Sequence, residues 1–95
     1  MNGRQALLAG AKYLENDGWG QNSYSAPCAV GAINMAVEGS FEGRSNAEFR
    51  ANDRFRASIG MSLYSYNDTP GRTKAQVIRA MRHAARPFPF NRLPF

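Results

Sequence analysis

Regularly spaced stop signals are the feature that most constrains how this chain can fold. Gly18, Gly39 and Gly60 each follow a stretch in which apolar residues recur at helical spacing, and Pro87 follows the last such stretch. Glycine readily adopts the positive φ that closes a helix, and proline cannot continue one. The sequence therefore predicts four short helices separated by glycine-containing loops.

The apolar spacing gives the approximate extent of each helix. The predicted helices cover residues 3–16, 28–37, 46–58 and about 74–86. Their predicted core-facing residues are Leu7, Leu8, Ala11 and Leu14 in the first, Ala47, Ala51, Phe55 and Ile59 in the third, and Val77, Ile78, Met81 and Ala85 in the fourth. The second helix is apolar almost all round, which is typical of the central helix of a bundle, and its small residues Gly31, Ala29 and Ala32 are expected to permit close approach of neighbours.

Capping signals support the starts of the last two long helices. Ser45 with Glu48, and Thr73 with Gln76, have the spacing of a capping box. Between these helices, residues 63–66 are expected to form a short extended or 3₁₀ piece. The predicted fold is thus mainly α: a compact bundle of about four short helices with irregular loops, forming a single domain over residues 1–86, and an extended C-terminal tail over residues 87–95.

Length and composition exclude several classes of protein. The chain has 95 residues, enough for one domain with a modest core, and its single cysteine cannot form an internal disulfide. No apolar run approaches the roughly 20 residues that span a bilayer, and the N-terminal segment lacks the pattern of a secretory signal. We therefore expect a cytoplasmic protein with no membrane contact.

The positive charge is concentrated in the second half of the chain. Residues 1–43 sum to −2 and residues 44–95 to +7, and ten of the twelve basic residues are arginine. Arginine suits phosphate and carboxylate recognition, so this half favours nucleic acid or an acidic protein surface, although solvated arginine faces are also common. The candidate anion-binding residues are Arg79, Arg82 and Arg86, which share one face of the last helix, and the pair Arg50 and Arg54.

The C-terminal tail RPFPFNRLPF contains an unusual density of aromatic residues for a chain end. Its three prolines are expected to hold it extended, which would present Phe88, Phe90, Leu93 and Phe95 as anchors for a protein partner. Two alternatives stay open: the tail docks on another protein, including a second copy of the chain, or it folds back and completes the protein's own core.

Two weaker patterns resemble chemical sites without carrying one. Cys28 stands at a predicted helix start and His83 could serve as its base, but a small buried cysteine and a lone histidine explain both residues better. Residues 68–74 place Gly, Arg and Thr before a helix, yet they lack the spacing of a nucleotide-binding loop. Asn67 and Asp68 are better explained as residues that fix a turn, and Thr73 as the cap of the helix. We expect no enzymatic activity, no cofactor and no metal site.

Three strings of this sequence resemble a known family. NGRQALLAGAKYLENDGWGQNSY, CAVGAI and YNDTPGRTKAQVIRAMRHAA together are similar to a family of small helical domains of unknown function from actinobacteria and their bacteriophages. Tyr66 stands where that family usually has Trp, and the aromatic tail lies outside the pattern. The resemblance implies a helical fold and a phage-like origin, and it implies no mechanism.

These observations predict a non-enzymatic binding protein. It would be a phage-encoded accessory or host-directed protein that docks on another protein, from host or phage, through the aromatic tail and the arginine-rich half. The alternative is a nucleic-acid-binding protein that uses the arginine stripe of the last helix. The expected location is the host cytoplasm, with association to a virion left open.

Overall fold

Five α-helices account for the regular structure of the chain in a computed structural model, which describes residues 1–21, 27–41 and 45–91. The helices are α1 (Gly3–Asp17), α2 (Ala29–Glu38), α3 (Asn46–Ile59), α4 (Leu63–Asn67) and α5 (Lys74–Ala84). No strand occurs in these ranges, so the predicted mainly α fold is confirmed. None of the described helices is long and apolar enough to cross a membrane.

A side chain caps the N-terminus of every one of these helices. The capping residues are Asn2, Cys28, Ser45, Ser62 and Thr73. The predicted box at Thr73 and Gln76 is present in full, and Ser45 accepts the predicted hydrogen bond from the Glu48 amide at 3.0 Å. These caps satisfy amide donors that the first turn of a helix leaves unpaired, which explains why the predicted starts agree closely with the observed ones.

Helix α4 replaces the extended or 3₁₀ piece that was predicted for residues 63–66. The Ser62 side chain accepts from the Ser65 amide at 3.2 Å, and the Asn52 side chain accepts from the Leu63 amide at 2.7 Å. The second of these bonds comes from α3, eleven residues away, so local sequence rules could not have indicated it. Two satisfied amide donors allow a single helical turn to form in a segment with little helical periodicity.

Helix α1 packs against α2, α3 and α5 and forms the centre of the bundle, a position that the apolar pattern had predicted for the second helix. Leu7 and Leu14 are fully buried as predicted, but Leu8 is 39% exposed. Gly10 is buried instead, and a Cβ placed on it would lie 2.5 Å from Ile33 Cγ1 of α2. The close helix–helix contact therefore occurs at Gly10. A close approach was also predicted at Gly31. A Cβ placed on Gly31 would lie 3.5 Å from Phe41 Cδ1, which is an ordinary van der Waals distance.

Helices α3 and α5 present the predicted apolar faces to α1. All four predicted core residues of each helix are buried. Phe55 of α3 is fully buried and packs edge-on against the Tyr66 ring, with 5.2 Å between the ring centroids. This core ends at Ala85, so α5 places its last turn and the residues after it at the edge of the bundle.

Candidate functional site

Asn67, at the end of α4, forms a buried hydrogen-bonding centre. Its Oδ1 accepts from Trp19 Nε1 at 2.6 Å and from the Ala29 amide at 2.9 Å. Its Nδ2 donates to the Gly20 carbonyl at 3.2 Å and to Asp68 Oδ1 at 2.9 Å. One side chain therefore joins the loop after α1, the first turn of α2 and the end of α4. We call these five residues the Asn67 cluster.

The segment after α4 is closed by two further side chains. Gln21 Nε2 donates to the carbonyls of Asn67 and Thr69, at 3.0 and 2.7 Å. Arg72 Nε donates to the Tyr66 carbonyl at 3.0 Å, while its guanidinium lies 3.7 Å from the centre of the Tyr66 ring. These contacts agree with the structural role expected for residues 68–74, because the arginine of that segment is occupied within the protein.

Cys28 and His83 lie on different elements and are not brought into a common pocket. Cys28 is partly buried and is the N-cap of α2, where its Sγ accepts from the Gly31 amide at 3.4 Å. His83 lines a groove beside α5 whose lining residues do not include Cys28. Over residues 1–21, 27–41 and 45–91, no three His, Cys, Asp or Glu side chains are grouped so that they could hold a metal ion.

A groove of about 470 Å³ runs between α1 and α5 and collects the arginines of the last helix. Its lining residues are Glu15, Ala75, Ile78, Arg79, Arg82, His83 and Arg86. The spacing of the three arginines predicted that they share a face, and the structure brings all three to this one groove, which we call the arginine groove.

Glu15 is the one acidic side chain among the described residues that line this groove. Its Oε2 lies 2.6 Å from Arg82 Nη2, and the two side chains are 52% and 49% exposed. Lys74 Nζ donates to the Glu15 backbone carbonyl at 3.4 Å. Three arginines face one carboxylate, so the groove keeps a positive charge. An ion pair this exposed contributes only about 0–1 kcal/mol to stability, so a competing carboxylate could replace Glu15 at low cost.

Arg54 closes the C-terminal end of α5. Its Nε donates to the Ala84 carbonyl at 2.8 Å and its Nη2 to the Arg86 carbonyl at 2.5 Å. Arg4 of α1 adds a bond from Nε to the Ala85 carbonyl at 2.6 Å. The last carbonyls of a helix lack internal partners and attract cations. The two arginines that were predicted to act together therefore differ: Arg54 stabilises the end of α5, and Arg50 stays exposed on α3.

Residues 87–91 form a turn, which we call the aromatic turn. The Phe90 amide donates to the Pro87 carbonyl at 2.8 Å, so the prolines do not hold this part of the tail extended as predicted. Phe88 and Phe90 are 74% and 69% exposed and do not complete the core. Asn91 is buried, and its backbone carbonyl accepts a hydrogen bond from Ser58 Oγ. Leu93 and Phe95, also predicted as anchors, lie outside the described residues.

Sequence reasoning missed two members of these sites. Asn67 was interpreted only as a turn residue, because its partners Trp19 and Ala29 are 48 and 38 residues away along the chain. Glu15 was placed on the polar face of α1 without a role. The pairing of Glu15 with Arg82 could have been suggested by their charges. One helix carries a basic stripe and another carries an acidic residue on its polar face, and opposite charges commonly meet between packed helices.

Comparison with known proteins gives one match. A family model matches residues 2–87, which includes the Asn67 cluster and the arginine groove and ends before Phe88. Searches of curated proteins and of solved structures found no match.

Proposed function

We propose that this chain, which belongs to DUF6197, a family of unknown function, acts by binding another protein and catalyses no reaction. The docking surface consists of the aromatic turn and the arginine groove. The observation that carries the proposal is the exposure of two phenylalanine side chains on a turn that the fold itself anchors.

The exposure of Phe88 and Phe90 is unusual because a phenylalanine side chain is stabilised by burial. Full burial of one such side chain is worth roughly 1.5–3 kcal/mol. Here two of them, 74% and 69% exposed, lie two residues apart on one turn. A partner surface that covered both would recover this free energy, and aromatic and arginine residues are the usual anchors of protein interfaces.

The aromatic turn is also held in place before any partner binds. The Ser58 hydroxyl bonds to the Asn91 backbone, and the Phe90 amide bonds to Pro87. A partner would therefore spend little free energy on ordering the turn, which favours affinity. This arrangement suits recognition better than a freely mobile tail would.

The arginine groove and the aromatic turn are adjacent along the chain. Arg86 lines the groove and precedes Phe88 by two residues, so their Cα atoms are at most about 7 Å apart. One partner could contact both surfaces at once. The complementary partner surface is an apolar pocket bordered by acidic side chains, because charge complementarity steers association and fixes orientation.

The resemblance noted in the sequence extends this proposal to a biological setting. In it the protein is a phage-encoded accessory or host-directed factor, and its partner is a host or phage protein in the host cytoplasm. In another form of this proposal the partner is a second copy of the same chain, which would bind through the same phenylalanines. Nucleic acid is less favoured as the partner, because Arg54 is bonded to the end of α5 and the residues lining the arginine groove include no Phe, Tyr or Trp on which bases could stack.

The test is co-purification from cells that express the tagged full-length protein, with each captured protein then purified and its affinity measured directly. We expect to find a specific partner that binds the wild-type chain. Its affinity for the double variant Phe88→Ala with Phe90→Ala should be at least tenfold lower, because aromatic anchors that become buried in an interface typically contribute more than about 1 kcal/mol each.

The matched control is Phe49→Ala, which removes an equally large side chain that is 51% exposed on α3. It should leave the affinity unchanged. Equal binding by the double variant and the wild-type chain would overturn the proposal. Size-exclusion chromatography of the purified protein identifies self-association, which the double variant should abolish if the partner is a second copy. A salt-sensitive gel shift with random duplex DNA that Arg79→Gln weakens would favour the nucleic-acid alternative.

A further inference from the structure

We propose that the arginine groove binds an acidic peptide segment and that Glu15 occupies the same position in the free protein as a built-in competitor. The idea that a partner protein supplies this segment rests on the function proposed above. The binding property itself belongs to the groove and can be tested alone.

The ion pair between Glu15 and Arg82 shows how the groove receives a carboxylate. Glu15 Oε2 lies 2.6 Å from Arg82 Nη2, the distance of a charge-assisted hydrogen bond. Arg79 and Arg86 line the same groove and have no acidic partner among its lining residues. A ligand with several carboxylates could therefore pair with these two arginines and also take the place of Glu15.

Displacement of Glu15 is inexpensive because the pair is open to solvent. The two side chains are about half exposed, and exposed ion pairs contribute roughly 0–1 kcal/mol. The released Glu15 carboxylate lies on the surface of α1 and regains its hydration. The internal pair thus weakens binding of single carboxylates, while a ligand that also engages Arg79 and Arg86 overcomes it.

The remaining lining residues favour a peptide over a nucleic acid. Ala75 and Ile78 provide an apolar floor, which suits aliphatic side chains placed between acidic ones. His83 is the one ring among these lining residues on which a base could stack, whereas single-strand binders stack successive bases on several aromatic side chains. A volume of about 470 Å³ accommodates a few side chains, within the usual range of ligand clefts.

The experiment measures binding of a fluorescently labelled peptide of alternating Glu and Leu to the full chain by fluorescence anisotropy at low and moderate salt. We expect salt-sensitive binding that Arg79→Gln and Arg82→Gln each weaken roughly two- to five-fold, the range that exposed ion pairs support. The distinctive expectation is Glu15→Gln, which should strengthen binding by roughly the same factor because it removes the competitor.

Two control variants make the same changes in charge away from the groove. Asp53→Asn matches Glu15→Gln, and Arg50→Gln matches the arginine variants; both positions are exposed on α3. Neither control should change the affinity by as much as its matched groove variant. Equal effects at groove and control positions would mean that only net charge matters, and would overturn the proposal. Absence of measurable peptide binding at low salt would overturn it as well.

Further probes separate this inference from its alternatives and from the proposed function. Inorganic phosphate or random single-stranded DNA that displaces the peptide at lower concentration than oligoglutamate would reassign the groove to phosphate ligands. If the peptide binds as described but no partner depends on Phe88 and Phe90, the groove site stands and the proposed function fails. If a partner depends on the two phenylalanines but the peptide does not bind, the reverse holds.

Discussion

The Asn67 cluster and the C-terminal surface use polar and aromatic side chains in opposite ways. In the cluster, Trp19 and Asn67 direct their polar atoms at one another and at buried backbone groups. At the C-terminal surface, Phe88 and Phe90 direct apolar rings at solvent, next to arginines with spare hydrogen-bonding capacity. The comparison teaches that polar groups in the cluster join the helices, whereas aromatic and arginine side chains at the C-terminal surface remain exposed to solvent.

The family match divides the C-terminal surface itself. It covers residues 2–87, which contain the whole Asn67 cluster and every lining residue of the arginine groove. The two exposed phenylalanines follow its last residue. The match therefore covers the helical bundle, while residues 88–91 of the aromatic turn lie beyond it.

The largest effect is expected from Asn67→Ala, which removes the centre of the cluster. The variant leaves the Ala29 amide and the Trp19 indole without their acceptor, and each buried unsatisfied donor costs roughly 1–3 kcal/mol. We expect the free energy of unfolding in urea, followed by circular dichroism, to fall by about 3 kcal/mol or more. The exposed residue Asn46 on α3 supplies the control, since Asn46→Ala should change it by less than about 0.5 kcal/mol. A loss below about 1 kcal/mol for Asn67→Ala would show that the cluster is not structural.

An intermediate effect is expected from Arg54→Ala, because Arg54 links the bundle to the C-terminal surface. The variant removes two hydrogen bonds from a charged donor to the carbonyls of Ala84 and Arg86. We expect a loss of about 1–2 kcal/mol in the free energy of unfolding in urea, together with faster tryptic cleavage after Arg82, in the last turn of α5, as the helix end loosens. Arg50→Ala, on the same helix, should change neither measurement. Unchanged cleavage in Arg54→Ala would indicate that other contacts hold this helix end.

The smallest effect on stability is expected from the double variant Phe88→Ala with Phe90→Ala. Both rings are mostly exposed, so their removal should change the free energy of unfolding by less than about 0.5 kcal/mol. Phe55→Ala, which empties a fully buried site, should lower it by about 3–5 kcal/mol in the same urea titration. A loss above about 2 kcal/mol in the double variant would mean that the rings support the fold, and it would remove the contrast on which the proposed docking surface depends.

Much of the fold could be predicted because its signals are local. Capping residues such as Thr73 indicated where helices begin, and glycines such as Gly60 indicated where they end. Apolar spacing indicated which faces of α3 and α5 are buried. The errors have physical causes too. Leu8 was predicted to be buried because leucine is hydrophobic, but it is partly exposed. Helix α1 packs on α2 through Gly10 instead, because a residue without a side chain allows the two helices to come close.

The sites were harder to predict because their contacts span long distances along the chain. Arg79 and Arg82 share a face of α5 because of helical spacing, as predicted, whereas Arg86 lies beyond the end of the helix at Ala84 and lines the same groove. The partners of Arg54 and Arg82 are 30 and 67 residues away, so the sequence could not distinguish an arginine that serves the fold from one that faces a ligand. The course of the aromatic turn depends likewise on Ser58, a residue of α3.

The closure of α5 by Arg4 and Arg54 has a consequence for how this protein could be re-engineered. Side chains from two other helices satisfy the final carbonyls of α5 before the aromatic turn begins. The end of α5 is therefore closed without the residues that follow, so recognition peptides of other specificities could be grafted within the aromatic turn while the helices and the bond between Ser58 and Asn91 serve as a constant scaffold. Natural sequence drift could have exploited the same modularity, changing the partner of the domain without altering its core.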